Sequence, residues 1–215
     1  QRFNLSERVE YSDFKGESDV IIIGSDQVWN LRQTREEFDK MYVADFPFPK
    51  SRRIYIADAV SFEPDLIDIR QKEVLCETIM RFDTLSARES DMVEWLNEFS
   101  PKKFAHIQDP VFQLNPEKWL ELTKAGRTKK PYLLLYRMMD HQSILPFANK
   151  LACNLGLEVI EILSEPDALK LGKARQTVSV EDFLTLFAQA SFVVTTSFHG
   201  TAFSLIFEKP FYTFD

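Results

Sequence analysis

The run Phe192-Val193-Val194 passes within a few residues into a second apolar stretch, and that junction constrains the fold more than any other part of the chain. Ala202-Phe203 and Leu205-Ile206-Phe207, closed by Lys209-Pro210, read as a buried helix with a basic end and a proline stop. Ser197-Phe198-His199-Gly200-Thr201 is therefore a strand-to-helix turn. In open α/β sheets such turns gather at the carboxyl ends of the strands, where helix N–H groups and the helix dipole favour an anionic ligand.

The rest of the chain repeats the alternation. Asp19-Val20-Ile21-Ile22-Ile23-Gly24 is a compact β-branched run of the kind buried on both faces of a parallel sheet, and it predicts a central strand. Strands are expected at Arg53–Ala57 and Phe82–Ser86, with helices over about Leu66–Met80 and through Met92, Val93, Trp95 and Leu96. Asn115-Pro116 opens a further helix, with Asn as cap and Pro at its first position. A second series follows: a strand at Tyr132–Tyr136, a helix from about Ser143 to Gly156, a strand at Leu157–Leu163, and a helix capped by Ser179. The pattern predicts an α/β protein of two Rossmann-like, doubly wound domains, residues 1–112 and 113–215, facing a cleft. The chain opens at Gln1 and stops at Asp215 just after a strand-like run, so the first strand-helix unit of one domain and the end of the other are expected outside it.

Composition narrows the function classes. Of 215 residues, 45% are apolar, enough for substantial cores, and the formal charge of −7 argues against a nucleic-acid coat or an anionic-membrane binder. Cys76 and Cys153 form no paired motif, and no metal-ligand spacing occurs, so neither a zinc site nor a resident metal is expected. No apolar run approaches the roughly 20 residues of a membrane span, and a cytoplasmic protein is expected.

Three strand-end turns could carry chemistry. Gly24 permits close backbone approach to a ligand, and Ser25, Asp26, Gln27 and Asn30 offer hydrogen bonds to hydroxyls, as lining for a cleft. The same residues also read as the capped start of a helix, and Trp29 reads as core. Arg88 could clamp a carboxylate or phosphate bidentately, or pair with Glu89 or Asp91. His199 combines a glycine neighbour, a helix N-terminus and a hydroxyl-rich flank, which marks it as functional. His106 and His141 lack such settings and read as structural or surface residues.

Taken in order, Ile23-Gly24-Ser25-Asp26-Gln27-Val28-Trp29-Asn30, Ser86-Ala87-Arg88-Glu89, Asp109-Pro110-Val111 and Ser197-Phe198-His199-Gly200-Thr201-Ala202-Phe203-Ser204 resemble the polysaccharide pyruvyl transferase family. The resemblance implies a fold similar to the B-type glycosyltransferases. It also implies transfer of pyruvate from phosphoenolpyruvate, a co-substrate in place of any cofactor, to a sugar hydroxyl pair of a cell-surface glycan or lipid-linked oligosaccharide, giving a pyruvate ketal. A lipid-linked acceptor would bring the enzyme to the inner membrane face without spanning it.

Carried over by position, His199 sits at the donor site with Ser197, Gly200 and Thr201, and Arg88 helps hold phosphoenolpyruvate. Asp26 is the candidate base for the acceptor hydroxyl, while Gly24, Ser25, Gln27 and Asn30 line the cleft. The family's usual Tyr-Ala-Ala-Ser-Phe-Gly appears here only loosely, as Tyr55-Ile56-Ala57-Asp58-Ala59-Val60. Two rival expectations share the fold: a glycosyltransferase using a nucleotide sugar, and a glycan-binding protein without turnover.

Overall fold

The computed structural model describes residues 19–32, 37–46, 53–124, 126, 130–138, 143–163 and 178–214. The chain divides between Pro110 and Val111 into two units. Among the described residues each unit holds one four-stranded sheet, and every strand pairing is parallel.

The first unit comprises β1 (Val20–Asp26), β2 (Ile54–Val60), β3 (Thr84–Ala87) and β4 (Ala105–His106), lying side by side in that order. Helix α1 (Ile69–Arg81) connects β2 to β3, and α2 (Ser90–Phe99) connects β3 to β4. The second unit starts with α3 (Pro116–Leu120) and contains β5 (Tyr132–Arg137), α4 (Ile144–Leu155), β6 (Glu158–Leu163), α5 (Val180–Gln189), β7 (Phe192–Thr195), α6 (Phe198–Ile206) and β8 (Phe211–Thr213). Its sheet runs β6-β5-β7-β8. Parallel strands joined through helices are the α/β class expected from the alternating pattern.

Local chemistry sets the element ends. Helix α1 begins at Ile69 instead of near Leu66 because Asp68 and Gln71 form a reciprocal capping box, each side chain accepting from the other's backbone N–H at 2.8 Å. Asn115 caps α3 by accepting from Lys118 N at 3.1 Å, and Ser179 caps α5 by accepting from Asp182 N at 3.1 Å. Gly156 ends α4 in the left-handed region at φ 66°.

One strand departs from expectation. β1 is the outermost strand of its sheet among the described residues, and Val20 and Ile22 are 44% and 62% exposed. A run of isoleucines has the same pattern at the centre of a sheet as at its rim, and only the partner strands decide between them. The turn after β1 is also not a helix start: among the described residues, 27–32 hold turns and no helix. His141 lies outside the described residues.

The first core is built around Trp29, which is buried against Phe62, Phe82 and Phe104 and donates its indole N–H to the Tyr42 carbonyl at 2.8 Å. In the second unit the alternation along β5 feeds two layers. Tyr132 and Leu134 pack with Phe187 and Phe203, while Leu133 and Leu135 pack with Ile144 and Ala148. At the end of β5, Arg137 forms a buried ion pair with Glu161 on β6, with Nε–Oε1 at 2.8 Å and Nη2–Oε1 at 2.5 Å. Removing one partner leaves the other charge less compensated in low dielectric. Glu161→Gln is expected to lower unfolding free energy by about 3 kcal/mol in urea titration, with its m-value unchanged.

Candidate functional site

Parallel sheets deliver their loops to one end, so the carboxyl ends of β1, β2 and β3 come together in the first unit. Gly24 sits there at φ 142°, and a Cβ on it would lie 1.9 Å from the Asp58 carbonyl oxygen of β2. Its close backbone approach to the neighbouring strand is what requires glycine here. Ser25 is half-buried, and Asp26 follows in the left-handed region at φ 73°. Asp26 is held twice by its carbonyl, which accepts from Val28 N at 2.8 Å and Ser61 N at 2.9 Å. Its carboxylate is 46% exposed and meets Arg88 Nη2 at 2.8 Å.

Arg88 follows β3, and its side chain is 6% exposed. Its three nitrogens point at three carboxylates: Nε at Glu89 (2.7 Å), Nη1 at Asp109 (2.9 Å) and Nη2 at Asp26. Asp109 is 1% exposed, and Glu89 occupies the cap position of α2. Burial pulls the guanidinium pKa down, but hydrogen bonds to Glu89 and Asp109 and the charges of Asp26 and Glu89 outweigh it and hold it above the usual arginine value. The pairing with Glu89, expected as the alternative to an anion clamp, is therefore present, and Asp26 and Asp109 join it. Asp91 does not share the pair: its carboxylate accepts from Met92 N instead.

The polar chain continues through the loops. Ser61 donates to Glu89 at 2.9 Å and accepts from Gln27 Nε2 at 3.0 Å, and the Gln27 amide oxygen accepts from Asn30. Asn30 also donates to Glu63 at 3.2 Å and accepts from Arg32 N at 3.0 Å, and it is buried. The amides of Gln27 and Asn30, two residues expected to line a cleft, lock the loop that follows β1. The second oxygen of Glu89, Oε2, is buried without a hydrogen-bond partner among the described residues. The His106 ring Nε2 lies 3.0 Å from the Arg88 carbonyl, a structural contact.

In the second unit, the junction of β7 and α6 falls where the strand-to-helix turn was expected. Ser197 is the cap: its hydroxyl accepts from Gly200 N at 3.4 Å, and its own N–H donates to Thr195 Oγ1 at 3.0 Å. Its burial and capping bonds make it a builder of the turn. Gly200 builds it too. A Cβ there would lie 2.2 Å from Thr195 Oγ1 and 2.9 Å from Tyr136 Cδ1, so glycine is what lets the helix lie against β7 and β5. Thr201 spends its hydroxyl on the Ser197 carbonyl and Thr213 Oγ1, both at 3.3 Å.

His199 stands on the first turn of α6, half-buried, with the Phe198 ring edge-on at a centroid distance of 5.2 Å. Phe198 is itself 49% exposed, so the turn meets solvent. The position is close to the positive end of the helix dipole, which favours anions.

Tyr136 was missed in the sequence because it closes an apolar strand. Its ring stacks edge-on with Phe183 and Phe187, and its hydroxyl reaches Met138 Sδ at 3.1 Å and the Ser197 side chain. Burial raises the phenol above its ordinary pKa, against a smaller opposing effect of Ser197, so it remains a neutral hydroxyl across the physiological range.

Two units, each a parallel sheet whose strands are joined through helices, define an α/β protein of Rossmann-like fold. The sequence profile of the polysaccharide pyruvyl transferase family matches residues 1–215, and the chain belongs to that family. No curated protein matches it.

Among solved structures, one from Listeria monocytogenes described as a UDP-N-acetylglucosamine 2-epimerase is similar in fold. Its TM-score is 0.51 at 8% identity, over 91% of this chain and 57% of that one. The wall teichoic acid polymerase TagF gives a TM-score of 0.45 at 13% identity, over 77% of this chain and 49% of that one. The chain thus matches about half the length of the structures it resembles. Among the described residues no helix is long and apolar enough to cross a membrane, and no group of His, Cys, Asp and Glu is gathered to hold a metal ion.

Proposed function

We propose that the protein transfers pyruvate from phosphoenolpyruvate to two hydroxyls of a glycan, forming a cyclic ketal and releasing phosphate. The observation that carries this reading is the half-buried His199 on the first turn of α6, in a chain that belongs throughout its length to the pyruvyl transferase family.

The chemistry needs an acid near an anion-favouring surface. Protonation of the methylene carbon of phosphoenolpyruvate by His199 makes C2 electrophilic. One sugar hydroxyl then adds to C2 and gives up its proton to a general base. The C2–O bond to phosphate breaks, and the second hydroxyl closes the ring as its proton leaves with the phosphate. The α6 N-terminus supplies dipole stabilisation to the donor's negative charge.

A nucleotide-sugar donor is the second reading, favoured by the same helix N-terminus, which also suits a diphosphate. Purified full-length protein is incubated with either phosphoenolpyruvate or a mixture of UDP- and CDP-sugars, together with a panel of p-nitrophenyl hexosides, and products are weighed by mass spectrometry. The expected product carries one pyruvate less one water, with phosphate released, and forms only with phosphoenolpyruvate. A hexose increment from a nucleotide sugar, without any from phosphoenolpyruvate, would favour the second reading. Acceptor binding without either increment would mark a glycan-binding protein.

A further inference from the structure

We infer that Tyr136 is a positioning residue for His199: its hydroxyl braces the Ser197 cap, and so fixes the first turn of α6 on which the imidazole stands. This rests on the reading of His199 as the acid that protonates phosphoenolpyruvate.

The parallel pairing of β5 and β7 sets Tyr136 opposite Thr195, two residues before the cap. The Tyr136 carbonyl accepts from Thr196 N at 3.2 Å, and Met138 N donates to Thr196 Oγ1 at 3.0 Å, so the ends of the two strands are tied together. The Tyr136 ring is held edge-on by Phe183 at 5.3 Å and Phe187 at 5.8 Å, both on α5. The same ring lies against Gly200, where a Cβ would come within 2.9 Å of Cδ1. Its hydroxyl is bonded to the Ser197 side chain and reaches Met138 Sδ at 3.1 Å.

The cap needs this support. Ser197 Oγ accepts from Gly200 N at 3.4 Å, longer than the usual N–H···O bond, so by itself it holds the turn weakly. A hydroxyl offers one proton and two lone pairs, which lets Ser197 keep the Gly200 amide and the Tyr136 hydroxyl at once. His199 lies between the cap and the amide that the cap holds, and Tyr136 touches both. An acid must meet one particular carbon, and a group supported in this way keeps its direction.

The test uses Tyr136→Phe, which keeps the packed ring and removes only the hydroxyl. In the full chain, with phosphoenolpyruvate and the p-nitrophenyl hexoside panel, it should lower kcat by roughly 10–10²-fold, the scale of a small misplacement. KM for phosphoenolpyruvate should change by less than about twofold and the thermal midpoint by less than about 4 °C. In a His199→Ala background the same change should cost less than about twofold in kcat, since residues acting through one group are not additive. Hydrogen exchange at the Gly200 amide, read without substrate, should quicken by about fivefold, the loss of one ordinary hydrogen bond. Ser197→Ala should show the same dependence on His199 and carries the test if Tyr136→Phe does not fold. A kcat loss equal in both backgrounds, a loss confined to KM, or unchanged exchange at Gly200 would overturn the positioning role alone. Wild-type kcat in His199→Ala would overturn the acid assignment, and this inference with it.

Discussion

Gly24→Ala is expected to yield no cooperatively folded protein. The new Cβ would sit 1.9 Å from the Asp58 carbonyl oxygen, and a backbone φ of 142° is closed to a side-chain-bearing residue. Neither neighbour can yield cheaply, because the obstructing atom is backbone and Gly24 is paired in register with Asp58 between β1 and β2. The cost should exceed about 4 kcal/mol, beyond ordinary point mutations and comparable to the whole stability of many domains. The check is urea unfolding followed by tryptophan fluorescence, since Trp29 is buried in the same unit. A variant with a native-like emission maximum and midpoint would show that β1 and β2 do not approach so closely.

The second large effect falls on activity. His199→Ala removes the imidazole from the first turn of α6 without touching the residues that build the turn: Ser197 still caps Gly200, and Gly200 still lies against Thr195 and Tyr136. Stability should change by less than about 1 kcal/mol, as expected for a half-exposed position away from cavities and buried charges. Loss of the acid should cost roughly 10²–10⁴-fold in kcat. The contrast matters, since Gly200→Ala would lower activity through the fold and His199→Ala through chemistry alone. Circular dichroism and a thermal melt on each variant separate the two.

These residues also show what was legible in the sequence. The β7–α6 junction was readable because its information is local: a β-branched run, a serine cap and a glycine within ten residues. The parallel α/β class was readable for the same reason, since each strand and helix carries its own pattern.

Of the three partners of Arg88, only its neighbour Glu89 was readable. Asp26 and Asp109 are distant in the chain, and only the parallel pairing of β1, β2 and β3 brings their loops together. Without that pairing an arginine after a strand reads either as an anion clamp or as the partner of a neighbouring acid. The bonds of Gln27 and Asn30 were hidden in the same way, because an amide facing a sugar and an amide locking a loop have the same local sequence. The rim position of β1 was hidden because exposure of Val20 and Ile22 depends on neighbours outside the run. Tyr136 was hidden because its hydroxyl matters only once α6 lies beside it.

The most direct measurement is turnover in heavy water with phosphoenolpyruvate, comparing wild type with His199→Ala in the full chain by mass spectrometry of the glycan product. Proton delivery to the methylene carbon predicts that wild-type product gains a pyruvate ketal whose methyl group carries a single deuteron, and that His199→Ala forms it at least about 10²-fold more slowly. Ketal formed by His199→Ala at the wild-type rate, or a wild-type product without deuterium, would contradict the role given to the imidazole.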